Sequence, residues 1–397
     1  MRPTSSSRGL LLCVASLLFL ISAEPPRPET VDSPTLMLTF AGDVMHHALT
    51  AGMSDYDLLY ESVRALLTRD DLSFANIEFP VDPAREPSGY PLFNGTETYV
   101  RAAVRAGFDV FSLANNHSFD GGSAAVASTA ELFSQLALDS GTYHNGLRVA
   151  SPTAIAMMPV SPEASGATTA LPGNAPIGPT LIRHNGWTVG FVAITAFSNT
   201  GGASRYVNVV DYTSPARREW FLSRVAEWKH GVDLLVVSIH AGVEYQTVPD
   251  EEKARFYRDV AAAGADVVWG HHPHVLQPWE LVHGDDHDSL ILYSTGNFVS
   301  AQRRRQAPEV PMGMWAPTGD TALYQVVVRR DSAGVTFDAV RTPMFTMIAE
   351  PGGLVLRTFD DVLSRQLPVQ WRAFYLARFA ALTRLVRPLP GEVAGGG

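Results

Sequence analysis

The run Gly270-His271-His272-Pro273-His274 most constrains the fold, because it directly follows the apolar run Ala265-Asp266-Val267-Val268-Trp269. The apolar run is typical of a buried strand, which the following glycine and proline end abruptly. Three imidazoles on one loop at the carboxyl end of a strand lie where α/β sheets keep their functional residues. Imidazole binds zinc, iron, nickel and copper, so the loop predicts a metal site. The alternative is a histidine-rich surface loop.

Five other apolar runs also end in polar side chains. The runs cover residues 36–41, 71–75, 109–114, 232–239 and 290–294, and the polar residues near their ends are Asp43, Asn76 with Glu78, Asn115 to His117 with Asp120, His240 with Glu244, and Asn297. Carboxylates neutralise metal ions and bridge them, imidazoles bind borderline metals, and amide oxygens add neutral ligands. Because parallel strands bring their carboxyl ends to one edge, the pattern predicts a divalent metal site of mixed nitrogen and oxygen ligands.

Composition excludes several classes of site and partner. The only cysteine, Cys13, lies in the amino-terminal apolar segment, so the mature chain is expected to lack disulfides, cysteine-zinc sites and a cysteine nucleophile. The chain has 397 residues, 46% hydrophobic, which is enough for a sizeable core. A net charge of −10 argues against nucleic acid as a partner. The basic run Arg303-Arg304-Arg305 is either a solvated loop or a contact for an anionic substrate.

The amino terminus has the pattern of a targeting segment. Arg2 and Arg8 precede an apolar stretch over residues 10–23, which is shorter than a typical membrane span. Residues 1–23 are therefore predicted to be a signal peptide, with a signal anchor as the alternative, and residues 24–34 a proline-rich linker. The working part is expected outside the cytoplasm, either secreted or anchored.

Strand and helix patterns alternate along the rest of the chain. Helices are predicted at residues 54–68, 123–136, 215–229, 249–263 and 360–385, hairpins at 181–190 and 322–341, and an irregular insertion at 151–179. These patterns predict an α/β fold, a sandwich of β-sheets flanked by helices, with the metal-binding loops at one edge. The predicted domain covers residues 35–350, and residues 351–397 are predicted to form a helical extension with a flexible tail.

Six segments, in order, resemble the bacterial capsule synthesis CapA proteins, a poly-γ-glutamate-associated family with a calcineurin-like metallophosphoesterase fold. They are Ala41-Gly42-Asp43-Val44-Met45, Asn76-Ile77-Glu78, Ala114-Asn115-Asn116-His117-Ser118-Phe119-Asp120-Gly121, His240-Ala241-Gly242-Val243-Glu244-Tyr245, Gly270-His271-His272-Pro273-His274-Val275 and Tyr293-Ser294-Thr295-Gly296-Asn297-Phe298. The resemblance spans roughly residues 35 to 300, and six ordered motifs are far more specific than one.

The resemblance implies a role for each site residue. The implied metal ligands are Asp43, Glu78, Asn116, His240, His272 and His274. His117 is the implied proton donor to a leaving oxygen, while His271, Asp120, Glu244 and Asn297 are expected to support ligands or contact substrate. The chain has Asp43-Val44-Met45 where phosphoesterases have Asp-x-His, so one imidazole is missing unless His46 or His47 replaces it. One or two ions of zinc, manganese or iron are therefore expected.

Two functions are compatible with this resemblance. One is a metal-dependent hydrolase of a phosphoester or related bond that is linked to capsule or poly-γ-glutamate biosynthesis or export. The other is a non-catalytic surface protein that binds or guides an anionic polymer. The expected partners are an anionic polymer or phosphoester substrate and a membrane-bound capsule synthesis complex. Fold analogy alone does not choose between the two functions.

Overall fold

The computed structural model describes residues 35–149, 175–284, 287–302, 316–331 and 334–388. Within these ranges, two large sheets and one small sheet are flanked by helices, so the predicted α/β sandwich is confirmed. The predicted signal segment (1–23), the linker (24–34), the basic run (303–305) and most of the predicted insertion (151–179) lie outside the described residues.

The first sheet has seven strands among the described residues. They are β1 (Thr35–Val44), β2 (Leu72–Ile77), β3 (Val110–Ser112), β4 (Tyr143–Asn145), β11 (Asn297–Val299), β13 (Tyr324–Asp331) and β14 (Gly334–Arg341). Their order is β14-β13-β1-β2-β3-β4, and β11 also pairs with β1. Strands β1 to β4 run parallel, so their carboxyl ends meet at one edge of the sheet.

The second sheet has six described strands in the order β5-β6-β7-β8-β10-β9. They are β5 (Thr180–His184), β6 (Trp187–Thr195), β7 (Leu234–His240), β8 (Val267–His271), β9 (Trp279–His283) and β10 (Asp288–Leu292). Strands β6, β7, β8 and β10 are parallel. The first strand pairs with the second through the predicted hairpin, in which Asn185 and Gly186 both have positive φ, as a type I′ turn requires.

A small third sheet and the helices complete the described fold. The sheet contains β12 (Asp320–Ala322), β15 (Met344–Glu350) and β16 (Gly353–Thr358), and the predicted domain boundary at residue 350 falls in the turn between its last two strands. The helices are α1 (Ala48–Ala51), α2 (Arg64–Leu67), α3 (Glu97–Ala106), α4 (Gly122–Ser140), α5 (Pro215–Lys229), α6 (Glu251–Ala262), α7 (Phe359–Ser364) and α8 (Val369–Leu385), with 3₁₀ turns at Tyr56–Leu59, Ala203–Arg205 and Ala316–Gly319. None of these described helices combines the length and apolarity of a bilayer span.

Two predicted helices differ from the structure. Instead of one helix over residues 54–68, a 3₁₀ turn and α2 are separated by a turn, in which the buried Tyr60 packs against Phe108 and Phe298. The predicted carboxyl-terminal helix is broken into α7 and α8: the chain is already extended at Arg365, and Pro368 disfavours helical geometry in the residue before it.

The two large sheets pack face to face through a shared apolar core. Phe74 of the first sheet lies 5.7 Å from Phe191 and 6.0 Å from Trp269 of the second, between ring centroids. The buried indole of Trp269 also donates a hydrogen bond to the Ala41 carbonyl across the interface, at 3.0 Å. Burying each such aromatic side chain contributes about 1.5–3 kcal/mol. This packing holds the carboxyl edges of the two sheets in fixed relation.

Candidate metal centre

The carboxyl ends of the parallel strands in both large sheets carry the predicted site residues to one place. Asp43 is at the end of β1, Glu78 follows β2, His240 ends β7, and His271 ends β8. All four side chains are buried. Charged and polar groups therefore meet in the interior, where water does not compensate them.

Two glycines allow the backbone to approach closely beside these residues. A Cβ on Gly42 would lie 2.0 Å from the Gly296 carbonyl oxygen, and one on Gly270 would lie 2.1 Å from the Tyr293 oxygen. Any other residue would therefore force the strands apart. The amide of Asp43 also donates to the Gly296 oxygen at 2.8 Å, which fixes its backbone beside β11.

The triple-histidine loop has an unusual backbone conformation. His272 has φ of 92° and His274 has φ of 58°, a region that residues with a Cβ rarely adopt. The ring centroids of these two histidines lie 5.8 Å apart, so the alternating backbone turns both imidazoles toward the same space. Strained backbone of this kind concentrates at ligand and catalytic sites.

Two overlapping groups of side chains can each hold a metal ion. Glu78, His240 and His272 form one group, and Asp43, Glu78 and His274 form the other; within each, the ligand atoms lie within 4.8 Å of one another. Glu78 belongs to both groups, and its Oε1 lies 3.6 Å from His240 Nε2 and 3.8 Å from His274 Nε2. A shared carboxylate between two imidazole-containing groups is the arrangement of a bridging ligand.

Unsatisfied polar atoms support this assignment. The buried atoms without a hydrogen-bond partner among the described residues include Asp43 Oδ2, both carboxylate oxygens of Glu78, His240 Nδ1 and His272 Nδ1. Native interiors leave few such atoms unpaired, and each unpaired group costs about 1–3 kcal/mol. A divalent cation accepts electron pairs from carboxylate and imidazole, so the donor set fits a bound metal.

The pKa values of the two central carboxylates shift in opposite directions. Burial and then the charge of Asp43 raise the pKa of Glu78 well above its ordinary value. Burial also raises the pKa of Asp43, but the imidazoles of His271 and His274, which lie 3.2 Å and 3.3 Å from its two oxygens, outweigh burial and hold that pKa well below its ordinary value. Two carboxylates in one buried space repel each other, and a cation between them removes that repulsion.

The imidazoles of the site are held in the form that binds metals. Burial lowers the pKa of His240 well below its ordinary value, and burial together with the charge of His274 lowers the pKa of His272 to about 3. Both rings are therefore neutral near pH 7. Metal ligation requires the neutral imidazole, so these histidines need lose no proton when a metal binds.

His117 lies beside this cluster and is oriented by an acid. Its Nδ1 lies 2.7 Å from Asp120 Oδ2, and the same oxygen accepts the Phe93 amide at 2.9 Å. The carboxylate acceptor fixes the proton on Nδ1 and leaves Nε2 3.4 Å from the Asn199 side-chain nitrogen. The neighbouring Asn116 points its Oδ1 at His240 Nε2, at 2.8 Å.

The three remaining predicted residues surround the cluster. His271 Nδ1 lies 3.2 Å from Asp43 Oδ1, and its ring packs on Trp269, outside the two central groups. Asn297 Oδ1 lies 3.0 Å from His274 Nδ1 and can orient that ring. Glu244 is exposed and forms a further possible ligand group with His272 and His274.

Neither histidine after β1 supplies the missing imidazole. His46 is buried against the rings of Phe79 and Tyr99, with Nδ1 3.3 Å from the Ser88 carbonyl oxygen. The ring of His47 lies near Ser300, 3.4 Å from its hydroxyl. In the part of the chain that the structure describes, neither ring joins a metal-binding group.

Three asparagines that are not among the implied ligands or their supports also contribute to the site. Asn76 donates to Asp43 Oδ1 at 2.8 Å, and Asn115 donates to Asn76 Oδ1 at 3.3 Å, so the two form a chain that holds the carboxylate. Both lie inside the motifs, and their position near a predicted ligand is the signal by which the sequence could have identified them. Asn199, which contacts Asn116 and His117, follows β6 without any motif.

Comparisons with known proteins indicate the same family as the six motifs. Residues 37–302 match the family described as bacterial capsule synthesis protein PGA_cap. The chain is 27% identical to the PGA biosynthesis protein CapA of Bacillus subtilis over 79% of this chain and 73% of that protein. It is 28% identical to the capsule biosynthesis protein CapA of Bacillus anthracis over 82% of this chain and 74% of that protein.

A solved structure of a calcineurin-like phosphoesterase, YfkN from Bacillus subtilis, is also similar. The match covers 79% of this chain and 91% of that chain, with 10% identity and a TM-score of 0.33.

Proposed function

Because the chain belongs to the bacterial capsule synthesis protein family, as its six motifs predict, we propose that it is a metal-dependent hydrolase acting in capsule or PGA biosynthesis. The observation that carries the proposal is the buried Glu78, which is shared by two imidazole-containing groups and has no hydrogen-bond partner on either oxygen among the described residues. A divalent metal would polarise the scissile bond and lower the pKa of an attacking water.

The residues around Glu78 would have different tasks. Asp43, Glu78, His240, His272 and His274 would hold one or two divalent ions, with zinc, manganese and iron suited to such ligands. Asn116 would add an amide oxygen. His117, held by Asp120, would deliver a proton from Nε2 to the leaving group, because its Nδ1 is already engaged.

A second function is favoured by one specific observation. His46 and His47 both make contacts elsewhere, so the imidazole of the phosphoesterase Asp-x-His pattern is not replaced among the described residues. A weaker metal set favours a non-catalytic protein that binds or guides an anionic polymer. In either case we place the protein outside the cytoplasm, secreted or anchored, with an anionic polymer or phosphoester as ligand and a membrane-bound synthesis complex as partner.

The substitution His117→Ala separates the two functions. In a hydrolase, the variant should keep its metal but lose about a hundredfold or more in kcat, the usual effect of removing a positioned proton donor. The measurement is turnover on a panel of phosphoesters and poly-γ-glutamate, with metal content determined in parallel.

His283→Ala is the matched control, because that histidine is exposed, is paired with Asp288, and lies outside the cluster. If the metal-loaded wild type turns over no member of the panel while His117→Ala weakens polymer binding, the hydrolase is excluded and the binding function stands.

A further inference from the structure

A second concave site lies outside the metal centre. It is a pocket of about 500 Å³, and its most distinctive lining residues are Arg148, Arg205, Arg217, Trp220, Arg224 and Trp228. None of these residues belongs to the metal-binding groups. Four guanidinium groups around one pocket are unexpected in a chain whose net charge is −10.

One wall of the pocket is a face of helix α5. Positions three and four apart lie on the same side of a helix, and the residues at such spacing here are Arg217, Trp220, Arg224 and Trp228. Phe221 and Val225 on the same helix are buried in the core beneath the second sheet. The face that α5 turns outward therefore alternates cations with indoles.

The opposite wall holds Arg148 through neutral acceptors. Its Nε donates to the Ala175 carbonyl oxygen at 2.7 Å, and a terminal nitrogen donates to the Ser204 oxygen at 2.5 Å. These bonds fix the guanidinium without neutralising its charge. Burial and then the neighbouring charge of Arg217 lower the pKa of Arg148, which shows that the two walls bring like charges together.

The pocket has little negative charge of its own. Among the described residues, its one ion pair joins Arg224 to Glu227 at 2.5 Å, and Arg148, Arg205 and Arg217 have no carboxylate within ion-pair distance. The Nε of Arg224 is buried and lacks a hydrogen-bond partner in the same ranges. Clustered cations with unused donors indicate a site for an external anion.

We propose that this pocket binds a segment of an acidic polymer through its carboxylates. Guanidinium forks match carboxylates in geometry, and the indoles can cover the methylene groups of the chain. The pocket is also recessed, with Arg148, Arg224 and Trp228 only partly exposed, so a flat bilayer fits it poorly.

The same loop serves both sites. Residues 196–210 carry Asn199, which contacts His117, and Arg205, which lines the pocket. A polymer held at the pocket would therefore lie against the loop that borders the metal centre. The inference rests on the proposed function only for the class of polymer, since binding requires neither a metal nor bond cleavage.

The test is a binding titration of the full chain with a glutamate decamer. The variant is Arg205→Gln with Arg217→Gln, because both side chains are exposed and, among the described residues, neither donates to a backbone carbonyl as Arg148 does. The matched control is Arg69→Gln with Arg183→Gln, which removes the same charge from exposed positions outside the pocket. The pocket variant should bind at least about tenfold more weakly, and the control within about twofold of wild type.

Four outcomes would overturn the proposal. They are equal weakening in the pocket and control variants, equal binding of a neutral glutamine decamer, tighter pocket-dependent binding of tripolyphosphate than of the glutamate decamer, and pocket-dependent binding to phosphatidylglycerol vesicles without binding of the decamer. Folding of each variant is checked by its unfolding transition, and Arg217→Gln alone serves if the double variant does not fold. Removal of metal with a chelator should leave decamer binding unchanged. A failed hydrolase assay therefore does not affect this result.

Discussion

At the scale of single residues, the buried carboxylates of this chain divide into those with a cation from the protein and those without. Asp266 pairs with Lys229 at 2.7 Å and also accepts the Leu235 amide, as a structural carboxylate does. Glu78 is equally buried, but no lysine or arginine of the described residues pairs with it. An unpaired buried carboxylate is strongly unfavourable, so Glu78 has the environment of a ligand rather than of a structural anchor.

Removal of two imidazoles should remove the metal. His272→Ala with His274→Ala takes a nitrogen ligand from each of the two groups that share Glu78, so metal content after reconstitution should fall several-fold or more. Elemental analysis measures it. His283→Ala should keep wild-type content, and a double variant that also keeps it would contradict the assignment.

Loss of the acid behind His117 should impair turnover without removing substrate binding. Asp120→Asn keeps the size of the side chain and an oxygen for the Phe93 amide, but it no longer stabilises the protonated ring of His117. We expect kcat to fall by about tenfold to a hundredfold with KM nearly unchanged. An unchanged kcat would show that Asp120 only supports the local fold.

At the scale of elements, the sequence predicted the hairpin and the helices whose conformation is set by their own residues. The Asn185-Gly186 hairpin formed because both residues tolerate positive φ, and α5 spans the predicted residues 215–229 with Pro215 at its start. The helix over residues 54–68 was wrong, because the packing of Tyr60 against residues distant in sequence overrode the local periodicity.

Gly270, near the end of β8, should be essential for the close packing of this strand. In Gly270→Ala the new Cβ would lie 2.1 Å from the Tyr293 carbonyl oxygen, so β8 and the chain after β10 must separate. The free energy of unfolding should fall by at least about 3 kcal/mol, the upper end for overpacking. Urea denaturation measures it.

Gly201→Ala is the matched control, because a Cβ there meets nothing within 4 Å, and its stability should stay within about 0.5 kcal/mol of wild type. A tolerated Gly270→Ala would show that the strands at this edge can move apart.

At the scale of the whole molecule, the site depends on two sheets whose contacts no local pattern reveals. The motifs predicted which strand ends carry the acids and histidines of the candidate site, because apolar runs that end in Asp, Glu or His are visible in the sequence. They could not show that His46 turns into an aromatic cluster with Tyr99 or that Asn199 reaches His117, since both depend on packing between distant segments. The Arg-Trp face of α5 was also missed, because its pocket needs a second wall from residues 148 and 205.

Stability of the whole molecule should depend on pH through Lys253, a fully buried base in α6. Its Nζ donates to Gln277 Oε1 at 3.0 Å and lies 5.2 Å from the centre of the Tyr257 ring. Burial lowers its pKa from 10.5 to about 7. Between these two values the unfolded chain binds a proton that the folded protein does not, so this residue makes stability rise with pH across that window.

The variant Lys253→Met isolates that contribution. Below pH 7 both the folded and the unfolded wild type carry the charge, so the full cost of burying it lowers the free energy of unfolding. Near pH 10 the unfolded chain also begins to lose the proton, and this cost has largely gone. The free energy of unfolding of Lys253→Met relative to wild type should therefore fall by about 2–4 kcal/mol between pH 7 and pH 10, whatever the constant effect of losing the Gln277 hydrogen bond. Denaturant titrations at fixed pH measure the difference. Arg255→Met, which removes an exposed cation from the same helix, should give a curve parallel to wild type, and a Lys253→Met curve equally parallel would show that Lys253 stays protonated in the folded protein.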